Sequence, residues 1–222
     1  MKALLFINGE PPKTLPDMSG YDLIACTDGA FHYLKEKNFP LGKLDFISGD
    51  FDSHPEILHC VQKSEGFSKA NDKKSDNHFE IIETPNQEHP DFHKALEILL
   101  EKGVEKVDVY GGSGREQDHF LGNLSTAFFF KDRLNITFFD DFSSYFFIPK
   151  TFSLHNVKGR MISLLPFPVA KNIETKGLKW ALNNENLVLS GRIGTRNVAE
   201  NDDVFIEYKE GDLLIFIGKK YL

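Results

Sequence analysis

Two rhythms of apolar and polar residues run through the 222-residue chain. In the first, short apolar runs at 3–7, 23–27, 46–48, 80–83, 107–110 and 136–139 read as strands. Between them the apolar residues recur with helical spacing, which predicts helices over 28–37, 55–63, 91–102 and 118–131. Within 91–102, Phe92, Leu96, Leu99 and Leu100 fall at i, i+4, i+7 and i+8, one face of a helix. Phe120, Leu124, Ala127 and Phe128 repeat the spacing in the next helix. Strands alternating with helices of this length predict an α/β fold, Rossmann-like, with a mostly parallel sheet covered by helices on both faces.

From residue 142 onward the rhythm changes. Apolar runs at 145–148, 160–165, 178–182, 187–189, 204–208 and 213–217 are separated by Gly, Asn, Pro and Asp, and no long helical period appears. That pattern predicts a small antiparallel β-sandwich domain. The expected division is therefore 1–141 and 142–222. The stretch 63–78 is polar and charged throughout and reads as an exposed insertion.

Composition narrows the function classes. No apolar run approaches the roughly 20 residues needed to cross a bilayer. The first residues turn polar too soon for a signal peptide and suit a buried strand. Cys26 and Cys60 are the only cysteines, which argues against a disulfide scaffold or a cysteine-rich zinc site and suits a reducing cytoplasm. A net charge of −7 argues against nucleic acid as a partner, because a phosphate backbone needs a basic face.

The polar residues cluster where strands end, and an open parallel sheet binds ligands outside the carboxyl ends of its strands. Asn8 and Gly9 follow the first run, Asp28 the second, and Asp50 and Asp52 the third. Gln87 and Asp91 follow the fourth. Gly111, Gly112, Gly114 and Arg115 follow the fifth, ahead of Asp118, His119 and Asn123. An Asp-x-Asp pair suits a polar turn, and equally a hard divalent cation. Asp28, Asp91 and Asp118 each also read as helix N-caps. Several carboxylates converging on one sheet edge repel one another unless a cation intervenes. The glycine run suits either a flexible turn or a backbone cradle for an anion, with Arg115 as a forked phosphate donor. It lacks the Gly-Lys-Ser/Thr ending of a P-loop.

In combination these segments resemble the thiamin pyrophosphokinases. Asp28-Gly29-Ala30 is similar to the family's Asp-Gly-Gly-Ala, one glycine short, and 49–53 matches its Gly-Asp-Φ-Asp-Ser. Thr84, Pro85, Gln87, Asp91 and Phe92 agree with Thr-Pro-Asp-Gln-Asp-x-Thr-Asp-Phe, and 111–123 resembles its glycine loop followed by Asp-His and Asn. Gly-Leu-Lys-Trp stands at 177–180 and Ser-Leu-Leu-Pro at 163–166. The resemblance implies transfer of a diphosphoryl group from ATP to thiamine by a homodimer with Mg²⁺. It implies Asp50, Asp52 and Asp91 as metal ligands supported by Asp28. Arg115 and the glycine loop would hold phosphate, and Gln87, Asp118, His119 and Asn123 would position nucleotide or vitamin. Trp180 would offer its face to thiamine, near Thr195, Arg196 and Asn197. Departures are Asn86, Glu88 and Pro90, one extra residue between Arg115 and Asp118, and Gly194-Thr195-Arg196-Asn197 in place of Ser-x-Ser-Asn. Rival readings are a pyrophosphokinase for a pterin-type alcohol and a silent thiamine sensor.

Overall fold

The computed structural model describes residues 1–52, 57 and 79–219. The predicted helix at 55–63 and the insertion at 63–78 lie outside these residues, Ile57 excepted. The chain divides into two compact units, Met1–Ile136 and Thr137–Leu222.

In the first unit the strands are β1 (Lys2–Phe6), β2 (Leu23–Thr27), β3 (Phe46–Gly49), β4 (Glu80–Glu83) and β5 (Lys106–Tyr110). They lie in the order β4-β3-β2-β1-β5, and all four pairings are parallel. The helices are α1 (Asp28–Glu36), α2 (Asp91–Glu101) and α3 (Gln117–Phe130). Every residue of β2 is buried, the mark of a strand covered on both faces. Alternation along β3 sends Phe46 and Ile47 to opposite faces. Ile47 joins the core cluster that holds Phe31 and Leu34 of α1. The Lys102 ammonium, at the end of α2, lies 5.5 Å above the Phe46 ring. The two helices thus cover opposite faces, as the sequence predicts. Phe6, Phe46 and Leu34 are essentially inaccessible, and each such side chain contributes about 1.5–3 kcal/mol by leaving water.

Chain order matters for the site. From β1 the chain builds outward through β2, β3 and β4, then returns to place β5 on the other side of β1. Direction reverses between β1 and β5, and crevices in open α/β sheets form at such a point. β6 (Asn135–Phe139) follows β5 in strand order and spans the boundary between the units.

The second unit is antiparallel, with β7 (Ser143–Ile148), β8 (Thr151–Leu154), β9 (Met161–Lys176), β10 (Asn183–Val188), β11 (Gly194–Val198), β12 (Val204–Glu207) and β13 (Glu210–Gly218). The 16-residue β9 organises it. Along one edge β9 pairs with β13 and then β12, and along the other with β11 and then β10. A run ending at 165 is expected from the sequence, because Pro166 and Pro168 interrupt the pattern. Proline donates no ladder bond and is tolerated in a strand at bulges. The bulge is present: Gly211 and Leu213 of β13 face Ala170 and Pro166 of β9, so two steps on one strand span four on the other. β8 and β11 have no counterpart among the predicted strands. The run 178–182 forms only an isolated bridge between Leu178 and Ala199, because Gly177, at φ +82°, turns the chain there.

Candidate active site

Beyond the ends of β1 and β5, two loops continue the ladder. Ile7 N–H donates to Tyr110 O at 2.9 Å, Gly9 N–H to Gly111 O at 2.7 Å, and Glu10 N–H to Ser113 O at 2.7 Å. Glycine is required where they touch. A Cβ on Gly9 would lie 2.2 Å from Gly111 O, and one on Gly111, whose φ is +78°, would lie 2.0 Å from Ile7 O. Two side chains pin this double loop: Arg115 Nη1 donates to Asn8 Oδ1 at 3.0 Å, and Asn123 Nδ2 to Gly112 O at 3.0 Å.

The loops floor a cleft of about 370 Å³ lined by Asn8, Gly9, Asp28, Asp91, Gly112, Gly114, Glu116, Asp118, His119 and Asn123, with Thr27, Pro90 and Phe120 among the remaining walls. Nine of the predicted site residues therefore meet at one place. Gly111 lies beneath, against Ile7 and the Tyr33 hydroxyl. Arg115 is joined to the cleft through Asn8.

The carboxylates are not helix caps. The N-cap positions of α1, α2 and α3 are Thr27, Pro90 and Glu116, and none makes a side-chain cap bond. Asp28 and Asp91 stand one step inside, at the first helical position, where the helix dipole favours negative charge. Asp28 Oδ1 accepts Gly29 N–H at 2.6 Å, and Oδ2 accepts Phe51 N–H at 3.2 Å. This second bond holds Phe51 at φ +58°, between Asp50 and Asp52. Burial, then the charge of Asp91 and that of Asp50, push the Asp28 carboxyl above its ordinary range, against its two N–H bonds. Asp50 is shifted the other way, mainly because Gln87 Nε2 donates to its Oδ2 at 2.8 Å. The Asp52 N–H at 3.2 Å and the Lys94 ammonium act in the same direction.

Lys94 is the residue that sequence reasoning missed. Its side chain is only 7% exposed, and its ammonium meets Asp91 Oδ1 at 2.8 Å, Thr84 O at 2.8 Å and Asn86 O at 3.1 Å. The signal was its i+3 position from Asp91 on one helix face. Among the described residues, no three His, Cys, Asp or Glu side chains are gathered as a ready cage for a metal ion. Asp50 is held by Gln87, Asp91 by Lys94, and Asp52 reaches Asp50 through its backbone. The donor set still suits a hard divalent cation, since all three offer carboxylate oxygens. The mutual repulsion felt at Asp28 is what such a cation relieves.

The remaining predicted residues belong to the second unit. Trp180 is 56% exposed, so it is not a core residue. Asn197 fixes its peptide from both sides: Trp180 N–H donates to Asn197 Oδ1 at 3.1 Å, and Asn197 Nδ2 to Trp180 O at 2.7 Å. Arg196, at φ +57°, donates its N–H to Ser163 Oγ at 2.9 Å, and Thr195 is exposed beside it. The Lys179 ammonium lies 5.0 Å above the Trp180 ring.

Two family models match the chain. The model of the thiamin pyrophosphokinase catalytic domain covers residues 17–138, and that of the thiamin pyrophosphokinase vitamin B1 binding domain covers 148–213. The thiamine pyrophosphokinase 1 of Oryza sativa subsp. japonica is 29% identical over 78% of this chain, which spans 65% of that protein's length. The thiamine pyrophosphokinase of Bacillus subtilis is 24% identical over 97% of this chain and 98% of its own. In fold, the Enterococcus faecalis thiamin pyrophosphokinase family protein superposes with a TM-score of 0.79 at 21% identity, covering both chains fully. Yeast thiamin pyrophosphokinase gives 0.79 at 18% identity over 98% of this chain and 86% of that one. With the catalytic-domain model alone spanning more than half of its residues, this chain belongs to the thiamin pyrophosphokinase family.

Proposed function

We propose that the protein transfers the diphosphoryl group of ATP to the hydroxyl of thiamine, giving thiamine diphosphate and AMP. The observation that carries this reading is the cleft at the β1–β5 reversal, where a glycine double loop meets Asp28, Asp91 and Asp118. Such a transfer is governed by positioning and charge neutralisation.

Asp50, Asp52 and Asp91 are the residues that would hold Mg²⁺, and a bound Mg²⁺ supplies charge stabilisation to the phosphate oxygens. The chain's own groups do the rest. Asp28 fixes the Phe51 turn and so the spacing of Asp50 and Asp52. Gln87 orients Asp50. The backbone of 111–114 and the N-terminal turn of α3 offer N–H groups to phosphate. Arg115, steadied by Asn8, adds a forked donor at the rim. Asp118, His119 and Asn123 line the wall against the nucleotide or the vitamin. In the second unit, Trp180 offers an exposed ring to the pyrimidine and thiazolium, its peptide held by Asn197, with Thr195 and Arg196 assigned to the same substrate.

We read the working form as a cytoplasmic homodimer that handles neither nucleic acid nor membrane. The family resemblance supports this, as do the charge of −7 and a second unit of modest size. Cys26 is free and buried, and no helix among the described residues is long and apolar enough to cross a membrane. AMP release by the purified protein, measured with thiamine against a pterin alcohol, tests the activity. Thiamine-dependent AMP is expected; release driven by the pterin, or thiamine binding without turnover, overturns the reading. Light scattering at micromolar concentration should give twice the chain mass, and a fully active monomer contradicts the dimer.

A further inference from the structure

Lys94 is a lysine with almost no access to water, paired with the carboxylate of Asp91. Its three acceptors fill the three donor positions of an ammonium. One belongs to Asp91. The other two are backbone carbonyls of the segment joining β4 to α2, three and one residues ahead of Gln87, the residue that grips Asp50. One side chain thus touches Asp91 directly and fixes the loop that carries the Asp50 partner.

We propose that Lys94 is the resident cation of this acid cluster and a positioning residue for diphosphoryl transfer. By neutralising Asp91 it keeps the empty cluster from taking a free divalent ion tightly, so the metal enters with the nucleotide. By holding Thr84 O and Asn86 O it sets Gln87 and Asp50 for that arrival. Coulomb's law gives the sign of the first effect. A positive charge one hydrogen bond from Asp91 opposes a second cation at the same carboxylate, and in a partly buried site this opposition is only weakly screened. The inference rests on the reading that Asp50, Asp52 and Asp91 hold the metal.

The experiment is Mn²⁺ binding, without nucleotide, read from the loss of the free-ion electron paramagnetic resonance signal. Lys94→Met keeps the volume and removes the charge. Asp91 is 36% exposed in its ion pair, so water can take over part of the lost contact. Lys94→Gln retains a donor for the loop carbonyls and serves if the methionine variant does not fold, with circular dichroism melting as the check. The variants should bind Mn²⁺ roughly tenfold or more tightly than the parent, since a unit charge at this range acts strongly on a divalent ion. Their kcat should fall while KM for thiamine stays within about twofold, the pattern of an interaction used after substrate binding. A residue that merely fills space leaves Mn²⁺ affinity where it was. Unchanged or weaker Mn²⁺ binding in a folded variant overturns the proposal. The parent supplies an arm that needs no variant: it should hold Mn²⁺ alone less tightly than a non-hydrolysable ATP analogue in free solution does, and a tighter site in the parent contradicts the idea. Turnover of the parent with thiamine, run alongside, separates the two levels. Absent turnover refutes the functional reading, whereas active parent enzyme with no gain in Mn²⁺ affinity refutes Lys94 alone.

Discussion

Gly49 offers the sharpest mechanical test of the acid cluster. A methyl group placed there would lie 2.3 Å from Asp28 Cγ and 2.4 Å from Asp28 Oδ2. Ordinary contact begins near 3.4 Å, so in Gly49→Ala the Asp28 carboxylate must retreat by about 1 Å, of the order at which catalytic geometry is lost. That retreat breaks the bond to Phe51 N–H and disturbs the Asp50–Asp52 turn. Overpacking of this kind costs about 1–3 kcal/mol. In a chain of this size each kcal/mol lowers the melting temperature by roughly 2–4 °C. A misplacement of about 1 Å in a catalytic constellation costs on the order of 100-fold in rate. The assay is a double-mutant cycle with Asp28→Ala, read by thermal melting, with thiamine-dependent AMP release measured on the single variant. Truncating Asp28 removes the two shortest contacts and leaves only its Cβ, at 2.8 Å. The penalty of Gly49→Ala should therefore shrink in that background, with a coupling of about 0.5–3 kcal/mol. An equal penalty in both backgrounds, or parental activity in the single variant, refutes the packing of Gly49 on Asp28 as the reason glycine stands there.

Asp50→Asn, Asp52→Asn and Asp91→Asn should each lower turnover by orders of magnitude with the fold intact, because a lost metal ligand removes several kcal/mol of charge stabilisation, about one order of rate per 1.4 kcal/mol; near-normal rates in all three would return these residues to ordinary turns. Trp180→Ala should raise KM for thiamine by about three- to thirty-fold while leaving KM for ATP nearly unchanged, and thiamine should alter the emission of this single tryptophan; equal effects on both substrates would contradict the assignment. Acid unfolding carries a sign that urea melts can read. The Asp50 carboxyl is depressed in the folded state, so its contribution is full above the unfolded value near ~3.9 and is lost as pH falls through the folded one. The stability gap between parent and Asp50→Asn should therefore narrow on acidification, and a gap that widens would refute the Gln87–Asp50 contact.

Periodicity made the first unit legible because its strands are buried runs between helices whose apolar faces repeat at 3.6 residues. β2, α2 and α3 were found within a residue or two of their ends for that reason. The second unit was harder. β9 crosses two prolines on a bulge, which composition reads as a break, and β11 has only Val198 as an apolar side chain, so its pairing with β9 leaves no apolar run. Residues placed at strand ends by pattern do line the cleft where they follow β1 and β5, because the chain reverses direction between those two strands. What pattern could not supply is who holds whom. The grip of Lys94 on Asp91, of Gln87 on Asp50 and of Asn197 on the Trp180 peptide joins residues through side-chain reach. In a linear sequence those partners look like solvated surface.

The most direct test of the whole account is the stoichiometry and bond of cleavage for one turnover of ATP labelled with ¹⁸O at the α,β-bridging oxygen. With thiamine and Mg²⁺ present, phosphorus NMR should show AMP and thiamine diphosphate formed in equal amounts, with the labelled oxygen retained in AMP, since attack at the β-phosphorus expels that oxygen with the nucleotide. ADP as the product, or the label leaving in diphosphate, would contradict diphosphoryl transfer from this cleft.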